Sequence, residues 1–194
     1  MSPGSVIAPE LAERIRVVVL DADGVLTNGG IYVADGDGTP FEARKFHVRD
    51  GVGLLMLQRA GLTVAIVSGK LSPAVRARAQ DLGIEEVHQV DPYEKLSTVA
   101  GVLERAGAAW DEAAFMGDDL ADIPVLRTVG LPAAVQQAAR EVRDEATWIA
   151  SAGGGDGAVR EFAEALLTAR GEWTDLVETF VDDCFDRWGG LPRG

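Results

Sequence analysis

Two carboxylates one residue apart, Asp21 and Asp23, close the apolar run Val17-Val18-Val19-Leu20 in a chain of 194 residues. Like charges held that near each other repel unless one is protonated or a cation lies between them, and a hard divalent cation resolves the conflict. A strand that ends in an acidic Asp-Gly turn at the surface is the plain alternative. A second acid group, Asp118, Asp119 and Asp122, follows another apolar run at 113–116. Three acids there are self-repelling in a chain already negative, and magnesium suits their oxygen atoms while leaving room for water and a phosphate oxygen. An acidic helix cap would use the same residue types. Between the two groups, Ser68 and Gly69 end the apolar run 63–67. A hydroxyl and backbone N–H groups at such a loop can grip a phosphate oxygen. Lys95, taken alone, reads as a solvated charge on a helix.

These groups can meet only if their strands lie side by side. Strand-like runs at 17–20, 63–67, 85–90, 113–116, 131–135 and 147–150 alternate with helical patterns at 54–60, 73–82, 95–106, around 138–143 and 158–170. The alternation predicts an α/β fold with a doubly wound, Rossmann-like parallel sheet and helices on both faces, its ligands bound at the carboxyl ends of the strands. The runs 31–33 and 41–46 flank Asp35-Gly36-Asp37-Gly38 and predict a small β-hairpin flap at about 28–46. Its acidic turn is a plain turn, because the remaining ligands of a calcium loop are missing. Gly153-Gly154-Gly155 reads as a flexible bend before the helix at 158–170. Residues 1–170 then form one domain. The tail, 171–194, is a single amphipathic helix, with Trp173, Leu176, Val177, Phe180, Cys184, Phe185 and Trp188 on one stripe that packs on its own subunit or on a neighbour.

Bulk properties narrow the classes of partner. The net charge of -13 argues against nucleic acid and against anionic membrane surfaces. The same charge opposes a phosphorylated substrate, so a site for one must be made locally positive by a metal, lysine, arginine or backbone N–H groups. No apolar stretch has the length of a membrane span, and residues 1–14 lack the basic start and apolar core of a secretion signal. The single cysteine, Cys184, forms no internal disulfide, in keeping with a reducing cytoplasm.

In chain order the strand ends present an acid pair, a hydroxyl, a lysine and an acid cluster. This order resembles the haloacid dehalogenase superfamily of phosphotransferases over about 16–170. The segments Phe46-His47-Val48-Arg49-Asp50-Gly51-Val52-Gly53 and Gly153-Gly154-Gly155-Asp156-Gly157-Ala158-Val159-Arg160-Glu161 are similar to its small sugar-acid phosphatases, which act on 3-deoxy-manno-octulosonate 8-phosphate and on nine-carbon keto-acid phosphates. The resemblance implies a magnesium-dependent phosphomonoesterase acting on a phosphorylated sugar acid of the 2-keto-3-deoxy type. It implies that Asp21 is the nucleophile, that Asp23 is the general acid and base, and that Ser68 and Lys95 hold the phosphoryl group. The metal would sit on Asp21, the backbone carbonyl of Asp23 and Asp118, with Asp119 and Asp122 supporting waters or Lys95. His47, Arg49, Asp50 and Gly51 would line the substrate pocket with Gly69, Lys70 and Arg78, Arg49 gripping a sugar carboxylate by two parallel hydrogen bonds. Leu55 and Lys70 depart from the pattern, standing where octulosonate phosphatases usually carry arginines, which opens the substrate to differ. The small flap implies a homotetramer in which neighbours help to close each site.

Two other readings use the same groups. A phosphoacceptor signalling module carries carboxylates, a hydroxyl and a lysine on a parallel sheet, but with the lysine after the hydroxyl on a late strand and without an acid pair spaced as Asp21-Ala22-Asp23. A catalytically silent or assembly-forming phosphatase-like protein would keep the fold, and intact Asp21, Asp23, Lys95 and Asp118 argue against it.

Overall fold

The computed structural model describes residues 6–36 and 38–188. After a short helix α1 (Pro9–Arg14), the β-branched run Val17–Leu20 forms strand β1, whose four side chains are at most 1% exposed. A strand that apolar on both faces is stable only inside a sheet covered on each side. The hairpin strands β2 (Tyr32–Gly36) and β3 (Thr39–Ala43) come next, then α2 (Val48–Arg59), β4 (Thr63–Ser68), α3 (Pro73–Asp81) and β5 (Glu86–Gln89). The chain continues through α4 (Lys95–Ala106), β6 (Ala113–Gly117), α5 (Ile123–Leu126), β7 (Leu131–Ala134), α6 (Arg140–Glu145), β8 (Trp148–Ile149), α7 (Ala158–Ala169) and α8 (Trp173–Trp188).

The six longer-range strands form one parallel sheet in the order β5-β4-β1-β6-β7-β8. The chain winds outward from β1 to β5, then returns to the other side of β1 for β6 to β8. That reversal leaves a crevice at the carboxyl ends of β1, β4 and β6, where ligands of such sheets bind. The register aligns Leu20 with both Ile66 and Met116, so Asp21 emerges level with the ends of its two neighbours. Helix α2 packs on β4 and on α7, while α4 and α5 pack on each other and on β4, β1 and β6. The expected doubly wound α/β sheet is therefore present.

The departures are local. Helix α1 spans 6 residues and buries only Ala12, and α5 is a single turn of 4 residues, so neither is long enough to show a periodic stripe. The flap is a hairpin as expected, but β3 ends at Ala43, and Phe46 instead bridges back to Thr27. Asp35 Oδ1 accepts the N–H of Gly38 at 3.0 Å, as in a plain turn; Asp37 lies outside the described residues. The helix expected at 54–60 begins earlier, at Val48, and takes in Arg49, Asp50 and Gly51. Helix α8 is anchored by its first half, where Trp173, Leu176 and Phe180 pack on the core, and by one ion pair further along, Arg59 with Asp183 at 2.9 Å. Its second half leaves Phe185 and Trp188 exposed, and Cys184 is exposed too. Among the described residues, no helix is long and apolar enough to cross a membrane.

Candidate active site

At the end of β1 the chain turns sharply through Gly24, whose φ of +90° is a conformation that side chains disfavour. A Cβ at Gly24 would lie 1.9 Å from Asp118 Oδ2, so the glycine lets the β1 turn and the β6 loop share one space. The turn is braced from behind. Gln137 Nε2 donates to the carbonyl of Gly24 at 2.8 Å, and Gln137 Oε1 accepts the N–H of Gly154 at 2.9 Å. A Cβ at Gly154 would meet the Gly24 carbonyl oxygen at 1.7 Å, and Gly155 N–H donates to the Val25 carbonyl at 3.1 Å. The triple glycine, expected as a flexible bend, is instead a close backbone-to-backbone contact that fixes the β1 turn.

Lys95 begins α4 and is 4% exposed; it is not a solvated lysine. Its Nζ donates to Asp21 Oδ1 at 2.9 Å and to Asp122 Oδ1 at 2.6 Å. The second oxygen of Asp122 accepts the backbone N–H groups of Asp118 at 2.9 Å and Asp119 at 3.3 Å. Asp119 caps its own turn, accepting Leu120 N–H at 2.8 Å, so the capping role weighed for this acid-rich stretch is real for Asp119. Oxygen atoms of Asp21, Asp118 and Asp122 lie within 4.8 Å of one another. Asp122 is already committed to Lys95 and two N–H groups, so the carboxylates with free lone pairs for an ion are Asp21 and Asp118. Three carboxylates against one lysine leave an excess of negative charge among oxygen donors, a setting that fits a small divalent cation such as magnesium.

The acids feel that excess. Burial, reinforced by the charge of Asp122 and opposed by Lys95, pushes the Asp21 carboxyl up to about 7. Burial and the charges of Asp21, Asp122 and Asp119 push Asp118 up to about 8. Burial alone would lower Lys95, but the charges of Asp21 and Asp122 outweigh it and hold the ammonium above its ordinary value. The two acids thus bind protons more tightly folded than at their usual 3.8. Such groups favour the fold at low pH, and their contribution is lost as pH rises through about 7 and 8. Thermal unfolding in EDTA should therefore show a melting temperature that falls between pH 5 and pH 8, and saturating magnesium should flatten or reverse the slope by favouring the ionised forms. Equal slopes with and without metal would contradict a cation site at Asp21 and Asp118.

A cavity of about 290 Å³ opens on these groups, lined in part by Asp21, Asp23, Lys95, Asp118, Gly69 and Lys70. The sequence-predicted site residues divide around it. Ser68 is fully buried at the end of β4, and its hydroxyl is shared between the N–H of Lys70 at 3.3 Å and the carbonyl of Lys70 at 3.2 Å, so it shapes the loop that carries Gly69 and Lys70. Lys70 Nζ reaches Glu42 of the hairpin at 3.3 Å. His47, Arg49, Asp50, Gly51 and Arg78 do not line this cavity. Asp50 is 2% exposed and accepts Arg160 N–H at 2.9 Å, capping the start of α7; burial raises its pKa against the pull of those N–H groups. Gly51 makes room for Arg78, since a Cβ there would lie 2.6 Å from Arg78 Nη2. His47 precedes the first turn of α2 without a side-chain capping hydrogen bond, and Arg49 lines a different, larger cavity of about 750 Å³ beside α7, with Arg160 and Trp148.

Two contributors were not singled out from sequence. Gln137 carries no motif, and only the triple glycine it bonds gave a signal. Arg44 lies in the strand-like run 41–46, and its side chain is buried against Asp23, with Nη1 2.8 Å from Asp23 Oδ1.

Comparison with known proteins agrees with this geometry. The family model described as haloacid dehalogenase-like hydrolase matches residues 90–161, which hold Lys95, Asp118 and Asp122. The 3-deoxy-D-manno-octulosonate 8-phosphate phosphatase of Haemophilus influenzae is 37% identical over 161 residues, 82% of this chain and 87% of the relative. The crystal structure of the phosphatase of that name from Moraxella catarrhalis, in complex with magnesium, phosphate and the octulosonate sugar, aligns with a TM-score of 0.82 at 33% identity, over 89% of this chain and 97% of that one. A cobalt-bound structure of the Haemophilus influenzae enzyme aligns at 0.78 with 36% identity, over 84% of this chain and 94% of that one. With one fold and this degree of identity along most of its length, the chain belongs to the haloacid dehalogenase-like hydrolases, in the branch that includes the 3-deoxy-D-manno-octulosonate 8-phosphate phosphatases.

Proposed function

We propose that the protein is a magnesium-dependent phosphomonoesterase that hydrolyses a small phosphorylated sugar acid of the 2-keto-3-deoxy type through an aspartyl phosphate. The observation that carries this reading is the arrangement of Asp21 between Lys95 and Asp118, with Asp23 on the same turn and all four lining one cavity. Asp21, Asp118 and the backbone carbonyl of Asp23 would hold magnesium, which when bound neutralises phosphoryl charge and orients the group for in-line displacement.

The chain's own residues then divide the work. A carboxylate oxygen of Asp21 attacks phosphorus, and the bond from phosphorus to the sugar oxygen breaks. Asp23 gives its proton to that leaving oxygen. In the second step Asp23, now ionised, takes a proton from water as the water attacks the aspartyl phosphate, releasing phosphate and restoring Asp21. Lys95 holds positive charge on Asp21 throughout, and Asp122 holds Lys95. In the loop after β4, Gly69 offers its N–H to the phosphoryl oxygens, while the Lys70 N–H is held by the Ser68 hydroxyl.

The substrate is narrowed by relationship, because relatives at this identity carry the octulosonate phosphatase name. Lys70, tied to Glu42, leaves the lining of this cavity without an arginine for a sugar carboxylate, and Leu55 lies on α2 outside that lining. The exposed apolar flap residues Ile31, Tyr32, Val33 and Phe41 fit a homotetramer whose neighbouring subunits supply the missing wall. The setting is cytoplasmic sugar-acid biosynthesis. Phosphate release from a panel of sugar phosphates, including eight- and nine-carbon keto acids, with and without magnesium, tests the reading. Magnesium-dependent turnover of a keto acid above plain hexose phosphates is expected. A preference for hexose phosphates would refute the substrate class, and no turnover on any ester would refute the phosphatase reading.

A further inference from the structure

Lys95 bonds Asp21 and Asp122, and the cation set against Asp23 comes from elsewhere: Arg44, two residues before the end of the flap. Its side chain is 1% exposed, an unusual depth for an arginine on a hairpin that otherwise points outward. Nη1 lies 2.8 Å from Asp23 Oδ1, and Nη2 and Nε each lie 2.8 Å from Glu42 Oε1. Glu42 in turn meets Lys70 of the β4 loop at 3.3 Å. A chain of charges, Lys70 to Glu42 to Arg44 to Asp23, thus runs from the rim of the cavity across the flap and into its floor.

The two oxygens of Asp23 are unequal. Oδ1 is buried beside Arg44 with no aligned hydrogen bond, whereas the side chain as a whole keeps 26% exposure and lines the cavity. That leaves Oδ2 as the oxygen able to reach a bound ester. A carboxylate that must exchange a proton with a leaving oxygen needs a fixed plane, since small misplacement of a reacting group costs orders of magnitude in rate. We infer that Arg44 is a positioning residue for Asp23. It pins Oδ1 and presents Oδ2, so proton transfer to the leaving group depends on the flap being seated, with the Lys70–Glu42 pair as its outer clasp. This inference rests on the phosphatase reading, in which Asp23 is the general acid.

The test compares two esters in one preparation: the sugar-acid phosphate preferred in the panel, whose alkoxide must be protonated as it leaves, and 4-nitrophenyl phosphate, whose phenolate departs without a proton. Arg44→Met should lower kcat on the sugar ester by about 10- to 100-fold, the usual cost of losing a supporting partner, with little change in KM. On 4-nitrophenyl phosphate the loss should be a small factor. Because the ratio of the two rates is taken within one sample, it is insensitive to any fraction of the variant that fails to fold. Arg44→Lys should recover part of the ratio, and Asp23→Asn with Arg44→Met should be no slower than Asp23→Asn alone, as expected for residues acting as a unit. Equal losses on both esters, or additive effects in the double variant, would overturn the inference while leaving the phosphatase reading intact. An Asp23→Asn protein with unchanged turnover of the sugar ester would overturn the reading of Asp23 itself.

Discussion

Asp21→Asn is expected to abolish turnover without weakening the fold. The substitution keeps the shape of the side chain, and its amide oxygen can still accept from Lys95, which bonds Asp21 at 2.9 Å. It removes the one oxygen nucleophile placed at the end of β1, so a loss of about 10⁴-fold or more in kcat follows, the scale seen when a covalent nucleophile is deleted. Stability should move the other way. Asp21 is buried beside Asp122, and its carboxyl is pushed up to about 7, so at pH 8 the ionised group is a burden on the metal-free protein. Asn carries no such charge, and the melting temperature in EDTA at pH 8 should hold or rise. Acid-quenched wild type mixed with phosphorus-labelled substrate should retain label on protein, and Asp21→Asn should retain none. A variant with turnover within tenfold of wild type would refute Asp21 as the nucleophile. Lost turnover with a collapsed melting temperature would mark Asp21 as structural.

The sequence made most of the scaffold legible because its signals were of long range and high contrast. The run Val17–Leu20 could be a strand only inside a covered sheet, and the alternation of strand and helix patterns then led to the parallel order that brings Asp21, Ser68, Lys95 and Asp118 to one end. What stayed hidden was set by contacts between distant residues. Arg44 follows directly on β3, where burial has no periodic mark, and only the fold shows it turned inward on Asp23, 21 positions earlier. Asp50 lies in a segment that resembles a pocket wall, yet its carboxylate is spent on the N–H of Arg160. Gly154 looked like slack in the chain because glycine is read as freedom, whereas here it is used for the absence of a Cβ where two backbones touch. Charge repulsion within the acid groups was legible as a demand for a cation. Which cation answers each acid was a matter of geometry: Lys95 for Asp21 and Asp122, Arg44 for Asp23.

Lys95→Met is the sharper test of that electrostatic balance, because it strikes activity and stability together and ties both to pH. Lys95 is buried between two carboxylates, and Met fills similar space without charge. Removing one partner of a buried ion pair costs about 3–5 kcal/mol, because the remaining charges are left uncompensated. In a chain of this length each kcal/mol lowers the melting temperature by about 2–4 °C, so a fall of roughly 6–20 °C is expected for the metal-free variant at pH 8. At pH 5 the deficit should shrink. Asp21 and Asp118 already titrate near 7 and 8, and without the lysine they are protonated and neutral there at little cost. Magnesium should restore more stability to the variant than to wild type, since the ion then meets the whole of the negative charge. It should not restore the rate, because the charge it supplies is not the one aimed at the attacking oxygen of Asp21. A loss in kcat of about 10²- to 10³-fold under saturating metal is the expected result, in line with deletion of a preorganised electrostatic contact. If magnesium returned both the melting temperature and the rate to wild-type values, Lys95 would be no more than a counter-ion for the acids, and the neutralisation of the phosphoryl group would have to come from elsewhere in the cavity.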